Sequence, residues 1–120
     1  MLERVNLREK FALIRDHWNP RIAAEVNDAL VKLVKFKGEF VWHHHEREDE
    51  LFLVLVGSFR MQLRDGEVIV REGEFIVVPR GVEHRPVADE ECSVMLIEPR
   101  STLNTGNVVN ERTRRDPGRV

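Results

Sequence analysis

The spacing of apolar and polar residues along this chain changes once, near residue 20. Before that point Leu7, Phe11 and Ile14 recur at i, i+4 and i+7, one stripe of a short amphipathic helix within Asn6 to His17. Asn6, with Glu9 three residues on, has the layout of a capping box. Asn19-Pro20 closes the segment, because the residue before a proline disfavours helical backbone. This pattern predicts a helix that lies as a lid on an open barrel face or an exposed sheet. From Arg21 the period becomes two. Ile22, Ala24 and Val26 alternate with Ala23 and Glu25, Asn27-Asp28 marks a turn, and Leu30 to Phe36 is a β-rich run ending at Lys37-Gly38. Further strands are predicted over Glu39 to His45, Leu51 to Val56, Phe59 to Leu63, around Val68 and Val70, over Phe75 to Val78 and over Cys92 to Ile97, with Val82 to Val87 short and irregular. Asp65-Gly66 is a two-residue hairpin signal, and Glu72-Gly73 and Pro79-Arg80-Gly81 reverse the chain again.

Short strands at regular intervals, punctuated by glycine, predict an all-β sandwich or barrel. The expected organisation is an N-terminal helical segment over 1–20, a barrel over 21–100 and a polar, arginine-rich extension over 101–120 that ends as a loose tail. Leu51 to Val56 is apolar at every position, so both of its faces need cover. Together with the strand pair Ile22 to Phe36 it offers more apolar surface than one small barrel can hide. A homodimer is expected on that ground.

At 120 residues one domain is the natural reading. Lys plus Arg number 19 and Asp plus Glu 21, a balance that leaves no basic footprint for nucleic acid and no polybasic signal for a membrane surface. The single Cys92 excludes an internal disulfide framework and fits a reducing, cytoplasmic setting. No apolar run approaches the roughly 20 residues of a membrane helix.

One stretch breaks the apolar pattern. Trp42-His43-His44-His45-Glu46-Arg47-Glu48-Asp49-Glu50 places three of the five histidines and a run of acids between two strand-like segments. On a strand, side chains two apart share a face, so His43 and His45 point one way and His44 the other. Two imidazoles at that spacing can converge on one ion. Glu50 opens the next strand and brings a carboxylate beside them, with Asp49 the substitute if the register is shifted by one. His84, just past the glycine-proline loop, is the candidate fourth ligand. Three histidines and one carboxylate suit a divalent transition metal (Zn, Mn, Fe, Ni or Co) and disfavour calcium and magnesium. Trp42 faces away by parity and is expected between sheets or at a subunit contact. Phe59, Met61 and Leu63 read as core, Cys92 as a small buried hydrophobe and His17 as surface.

These residues resemble the two motifs of the cupin superfamily. Gly38, His43, His45, Glu50 and Gly57 follow its first motif, with a spacer one residue short between Gly38 and His43. Gly73, Pro79, Gly81 and His84 follow its second, with Ala88 in place of the closing Asn. Fifteen residues separate Gly57 from Gly73, the compact spacing of small single-domain members. The resemblance implies a double-stranded β-helix, or jelly roll, and carries metal-ligand roles onto His43, His45, Glu50 and His84. Two functions of different class follow from it. One is metal-dependent oxygenation or isomerisation of a small organic molecule. The other is a non-catalytic module that binds metal or a small molecule.

Overall fold

The computed structural model describes residues 2–120. It contains one helix, α1 (Leu7–Ala12), and seven strands: β1 (Arg21–Val26), β2 (Ala29–Glu39), β3 (Glu50–Val56), β4 (Ser58–Leu63), β5 (Gly66–Arg71), β6 (Phe75–Val78) and β7 (His84–Pro99). All pairings are antiparallel. The strands run β1-β2-β7-β3-β6, and β4 joins β5 to β7. The 16-residue β7 organises this order. Its first part, His84 to Val87, pairs with β4, and its last part, Ser93 to Ile97, pairs with β3. Along its other edge β2 follows it nearly end to end. One long strand shared by three partners rolls the sheet into an all-β jelly roll.

The core follows from the alternation. Phe36, Phe52, Val54, Phe59, Met61, Cys92 and Val94 are buried together inside the roll. Burial pushes the Cys92 thiol up to about 12, as befits a residue that acts as a small hydrophobe. A second cluster sits outside it, where Phe11 and Ile14 cover Leu33, with Leu55 packed alongside. The N-terminal stripe is thus the expected lid, and it covers the outer face at Leu55. Asn6 caps the helix by accepting from the Glu9 amide at 3.0 Å.

Three features differ from the sequence-based expectation. The helix ends at Ala12, well before Asn19-Pro20. Leu13 is exposed, and the chain then turns inward to bury Ile14 and Trp18, the latter at φ 60°. The stretch from Glu39 to His45 is not a strand. β2 runs through Gly38 to Glu39, and the following residues cross the barrel mouth with one isolated backbone bridge at His43. Finally, residues 82–97 do not form a short irregular piece and a separate strand. β7 is continuous, and the acidic Asp89, Glu90 and Glu91 that hide this in the sequence are exposed.

The C-terminal extension is tied to the barrel rather than loose. Ile22 and the tail exchange backbone hydrogen bonds, Ile22 N to Gly118 O at 2.8 Å and Val120 N to Ile22 O at 3.0 Å. Thr102 and Thr105 are buried, and the Asn107 amide donates to His44 O at 3.1 Å. Gly106 lies at φ +55°, and an added Cβ there would overlap the His44 carbonyl. Gly38, at φ +82°, has open space around it. Gly38→Ala therefore meets only backbone strain, about 1–2 kcal/mol. Gly106→Ala meets strain and a backbone clash, and the expected loss is larger, about 3 kcal/mol or more. Denaturant unfolding of the two variants beside wild type checks the order; equal losses would contradict this packing of the extension.

Candidate metal centre

His43 and His84 come together through their own backbones. His43 N donates to His84 O at 3.1 Å and His84 N donates to His43 O at 2.9 Å, one narrow antiparallel bridge between segments 41 residues apart. Gly81 N donates to His45 O at 2.7 Å, which fixes the second half of the histidine run against the loop before β7. Glu50 is the first residue of β3 and points inward with Phe52 and Val54. His43, His45, Glu50 and His84 are all buried, and one ligand atom from each lies within 4.8 Å of every other. Sequence parity is thus kept without a regular strand: His43 and His45 face the barrel, while His44 points outward toward Glu46. Asp49 is on the far side of Glu50 and binds Arg80, whose amide it accepts at 2.9 Å. It takes no part in the cluster.

Two of the imidazoles are held in a defined tautomer. His43 Nδ1 lies 2.9 Å from Val41 O, and His84 Nδ1 lies 2.8 Å from Val82 O. A carbonyl can only accept, so each Nδ1 carries a proton, and in the neutral ring Nε2 is the atom with the lone pair. Burial, reinforced by the neighbouring His84, lowers the His43 pKa to about 4. Its ring is therefore neutral at physiological pH, the form that ligates metal. Burial opposes ionisation of Glu50, but the facing His45 and His84 outweigh it and hold the carboxyl below its usual range. His45 Nε2 and Glu50 Oε1 are 3.2 Å apart, and His84 Nε2 is 3.7 Å from the same oxygen. Neither approach is aligned as a hydrogen bond, so these three buried atoms have no partner. An unsatisfied buried polar group costs about 1–3 kcal/mol. Three aimed at one point form a donor set that a cation would satisfy, and the residues fit a transition metal.

His43 and Glu50 also line a small apolar cavity walled by Trp18, Phe36, Phe40 and Phe52, with a volume of about 30 Å³. That is room for one or two waters beside the cluster. Trp18 stacks on Phe36 at 4.4 Å and on Phe40 at 4.8 Å.

Sequence reasoning missed three contributors. Trp18 forms part of this wall and donates from Nε1 to Lys37 O at 2.8 Å. Lys32 Nζ lies 3.4 Å from Glu98 Oε2, both side chains buried, and Glu98 faces Glu50 across the β3–β7 ladder, one step beyond the Leu51–Ile97 pair. Burial, then the Glu50 charge, raise the Glu98 pKa well above the usual carboxylate range against the pull of Lys32. The signal was parity: Lys32 shares a face with Leu30, Val34 and Phe36, and Glu98 with Val94 and Leu96. For Trp42 one of the two expected places, between sheets, is not the one observed. Its ring lies 3.8 Å under the Arg64 guanidinium on the outer surface, not between sheets. Glu83, Arg85, Gln62 and Arg60 pair among surface groups, away from the cluster.

The Cupin domain family matches residues 30–98, which include both histidine segments. This chain is a cupin. A cupin-2 domain containing protein from Shewanella frigidimarina NCIMB 400 is 50% identical, with a TM-score of 0.79 over 80% of this chain and 94% of that one. Protein NMB1881 from Neisseria meningitidis is 36% identical, with a TM-score of 0.75 over 81% of this chain and 99% of that one. An uncharacterized protein, YdbB, from Bacillus subtilis strain 168 is 41% identical over 63 residues. That match spans 52% of this cupin and 56% of the Bacillus protein.

The His43 geometry generates a pH prediction for the metal-free protein. A folded-state pKa near 4, against 6.5 for an ordinary imidazole, means that proton uptake favours the unfolded chain. The stabilisation is complete above pH 6.5 and is lost as pH falls toward 4, roughly 3 kcal/mol in all. Denaturation with chelator present should show wild type losing stability more steeply across that window than His43→Gln. Parallel pH profiles would contradict the buried, neutral state of this ring.

Proposed function

We propose that this cupin binds one divalent transition metal (Zn, Mn, Fe, Ni or Co) through His43, His45, Glu50 and His84. On this reading it presents the metal to a small, largely apolar organic molecule for oxygenation or isomerisation. The observation that carries the reading is the set of three buried, unpartnered atoms converging on one point. Ligand chemistry supports the choice of ion, since imidazole with one carboxylate suits these metals and oxygen-rich calcium sites are built differently.

Each residue has a physical task. The four ligands bind. The carbonyls of Val41 and Val82 orient two of the rings. Trp18, Phe36, Phe40 and Phe52 exclude water and favour an apolar ligand. When bound, such an ion acts as a Lewis acid on a substrate oxygen or as a redox centre. A second reading is a metal-binding module without turnover. The cavity of about 30 Å³ favours it, because a substrate needs Trp18 or its neighbours to move aside.

Elemental analysis of the purified protein tests the site itself. Wild type should carry close to one equivalent of transition metal per chain, and His84→Ala and Glu50→Ala much less. Equal content in all three would remove the reading.

We also propose that this cupin is a cytoplasmic homodimer that binds neither nucleic acid nor membrane. No helix among the described residues is long and apolar enough to cross a membrane. Strand pairing sets Leu51 between Val77 and Ile97, and Leu53 between Phe75 and Met95, on the outer face of β3, β6 and β7. Phe75 is 63% exposed and Val77 47%. An exposed apolar face of this kind is the sort of surface that two copies of a chain bury against each other about a two-fold axis. Light scattering behind a sizing column should give twice the 14.1 kDa chain mass, and Phe75→Glu should give the monomer. A monomeric wild type at micromolar concentration would contradict the proposal.

A further inference from the structure

The barrel interior holds two ionisable side chains besides the candidate ligands. Lys32 is 3% exposed and Glu98 2%. Strand register explains why they meet. Leu30 pairs with Glu98 and Lys32 with Leu96 across β2 and β7, which makes Lys32 and Glu98 diagonal neighbours on the inner face. Lys32 Nζ reaches Glu98 Oε2 at 3.4 Å, and the β3–β7 register, in which Leu51 pairs with Ile97, sets the buried Glu98 opposite the buried Glu50. A chain therefore runs Lys32, Glu98, Glu50, and ends on Glu50 Oε1, which faces His45 and His84 with no hydrogen bond of its own.

Such a pair needs a physical reason. Buried ion pairs are weak stabilisers, and apolar residues of similar volume often serve the fold as well or better. The two residues touch no part of the helix or of the C-terminal extension among the described hydrogen bonds, so they do not tie elements together. Their one contact of chemical consequence is Glu50. The terminal torsion of a glutamate is broad, so an unanchored carboxylate can rotate away from three fixed imidazoles.

We propose that Glu98, backed by Lys32, is a positioning residue that fixes the Glu50 carboxylate toward His43, His45 and His84 and so sets the affinity and coordination mode of the metal. The role rests on the metal-binding reading above. Partners of this kind typically change metal affinity 10–100-fold when removed.

Cobalt(II) supplies the probe, because its visible absorption reports the ligand set directly. Three proteins are compared with wild type: Glu98→Gln, which keeps a polar side chain of the same length opposite Glu50, the double variant Lys32→Met/Glu98→Leu, which removes both polar side chains together, and His84→Ala, which removes a ligand. Affinity is measured by chelator competition, and metal-free stability by denaturant unfolding. The double variant should unfold at wild-type denaturant concentration or higher, yet bind cobalt(II) about 10–100-fold more weakly and with an altered absorption band. Glu98→Gln should keep most of the affinity and the wild-type band. Wild-type affinity and spectrum in the double variant would overturn the role while leaving the metal site standing. A loss in Glu98→Gln as large as in the double variant would overturn it too, and it needs no apolar substitution to fold. Wild type that takes up no more cobalt(II) than His84→Ala would remove the metal site and this role with it.

Discussion

Two hydrogen bonds between the backbones of His43 and His84 join the middle of the chain to the start of its longest strand. The rest of the site depends on this bridge. The ligands come from segments far apart in sequence, and the bridge sets the two rings with their centroids 4.3 Å apart. β7 then carries the same register forward to β4, β2 and β3, so the barrel and the site share one frame. Glu50 enters as the first residue of β3, and His45 is pinned through Gly81. A slip of one residue at the bridge would send His84 outward and Glu83 or Arg85 inward, since alternate side chains take opposite faces.

Energetics favour occupation of the cluster. The fold buries three imidazoles and two carboxyl groups among Phe36, Phe52 and Leu96, where polar groups lose their hydration. Part of that loss is offset inside the protein: Val41 O and Val82 O satisfy two Nδ1–H groups, and Lys32 and Glu98 satisfy each other. What is left over is localised, on His45 Nε2, His84 Nε2 and Glu50 Oε1. A core selected for stability alone would not gather its unsatisfied atoms at one point.

Much of this was legible in the sequence. Alternation located the barrel strands, Asp65-Gly66 the β4–β5 hairpin, and the spacing of His43, His45, Glu50 and His84 the four converging side chains. The illegible parts have physical causes. Residues 40–45 read as a strand because extended backbone and strand share a two-residue period, although only His43 finds a bridge. β7 read as two pieces because Asp89 to Glu91 lie exposed midway along it, where hydrophobic patterning says nothing. Lys32 and Glu98 were hidden because a charge on a strand is taken for a solvated residue unless its parity is checked against its neighbours. The C-terminal extension has no periodicity at all. Its attachment rests on backbone hydrogen bonds and on the space at Gly106, which composition does not encode.

Unpaired polar atoms inside a small apolar barrel thus make a cluster that could hold a metal ion, with the family fold supplying the frame and particular side chains the chemistry. X-ray absorption spectroscopy of the metal-loaded protein tests this most directly, because it counts and identifies the atoms around the ion. The spectrum should show a shell of nitrogen and oxygen, with the outer-ring scattering of three imidazoles and no sulfur. A shell with one imidazole or none, or with sulfur from Cys92, would contradict the site.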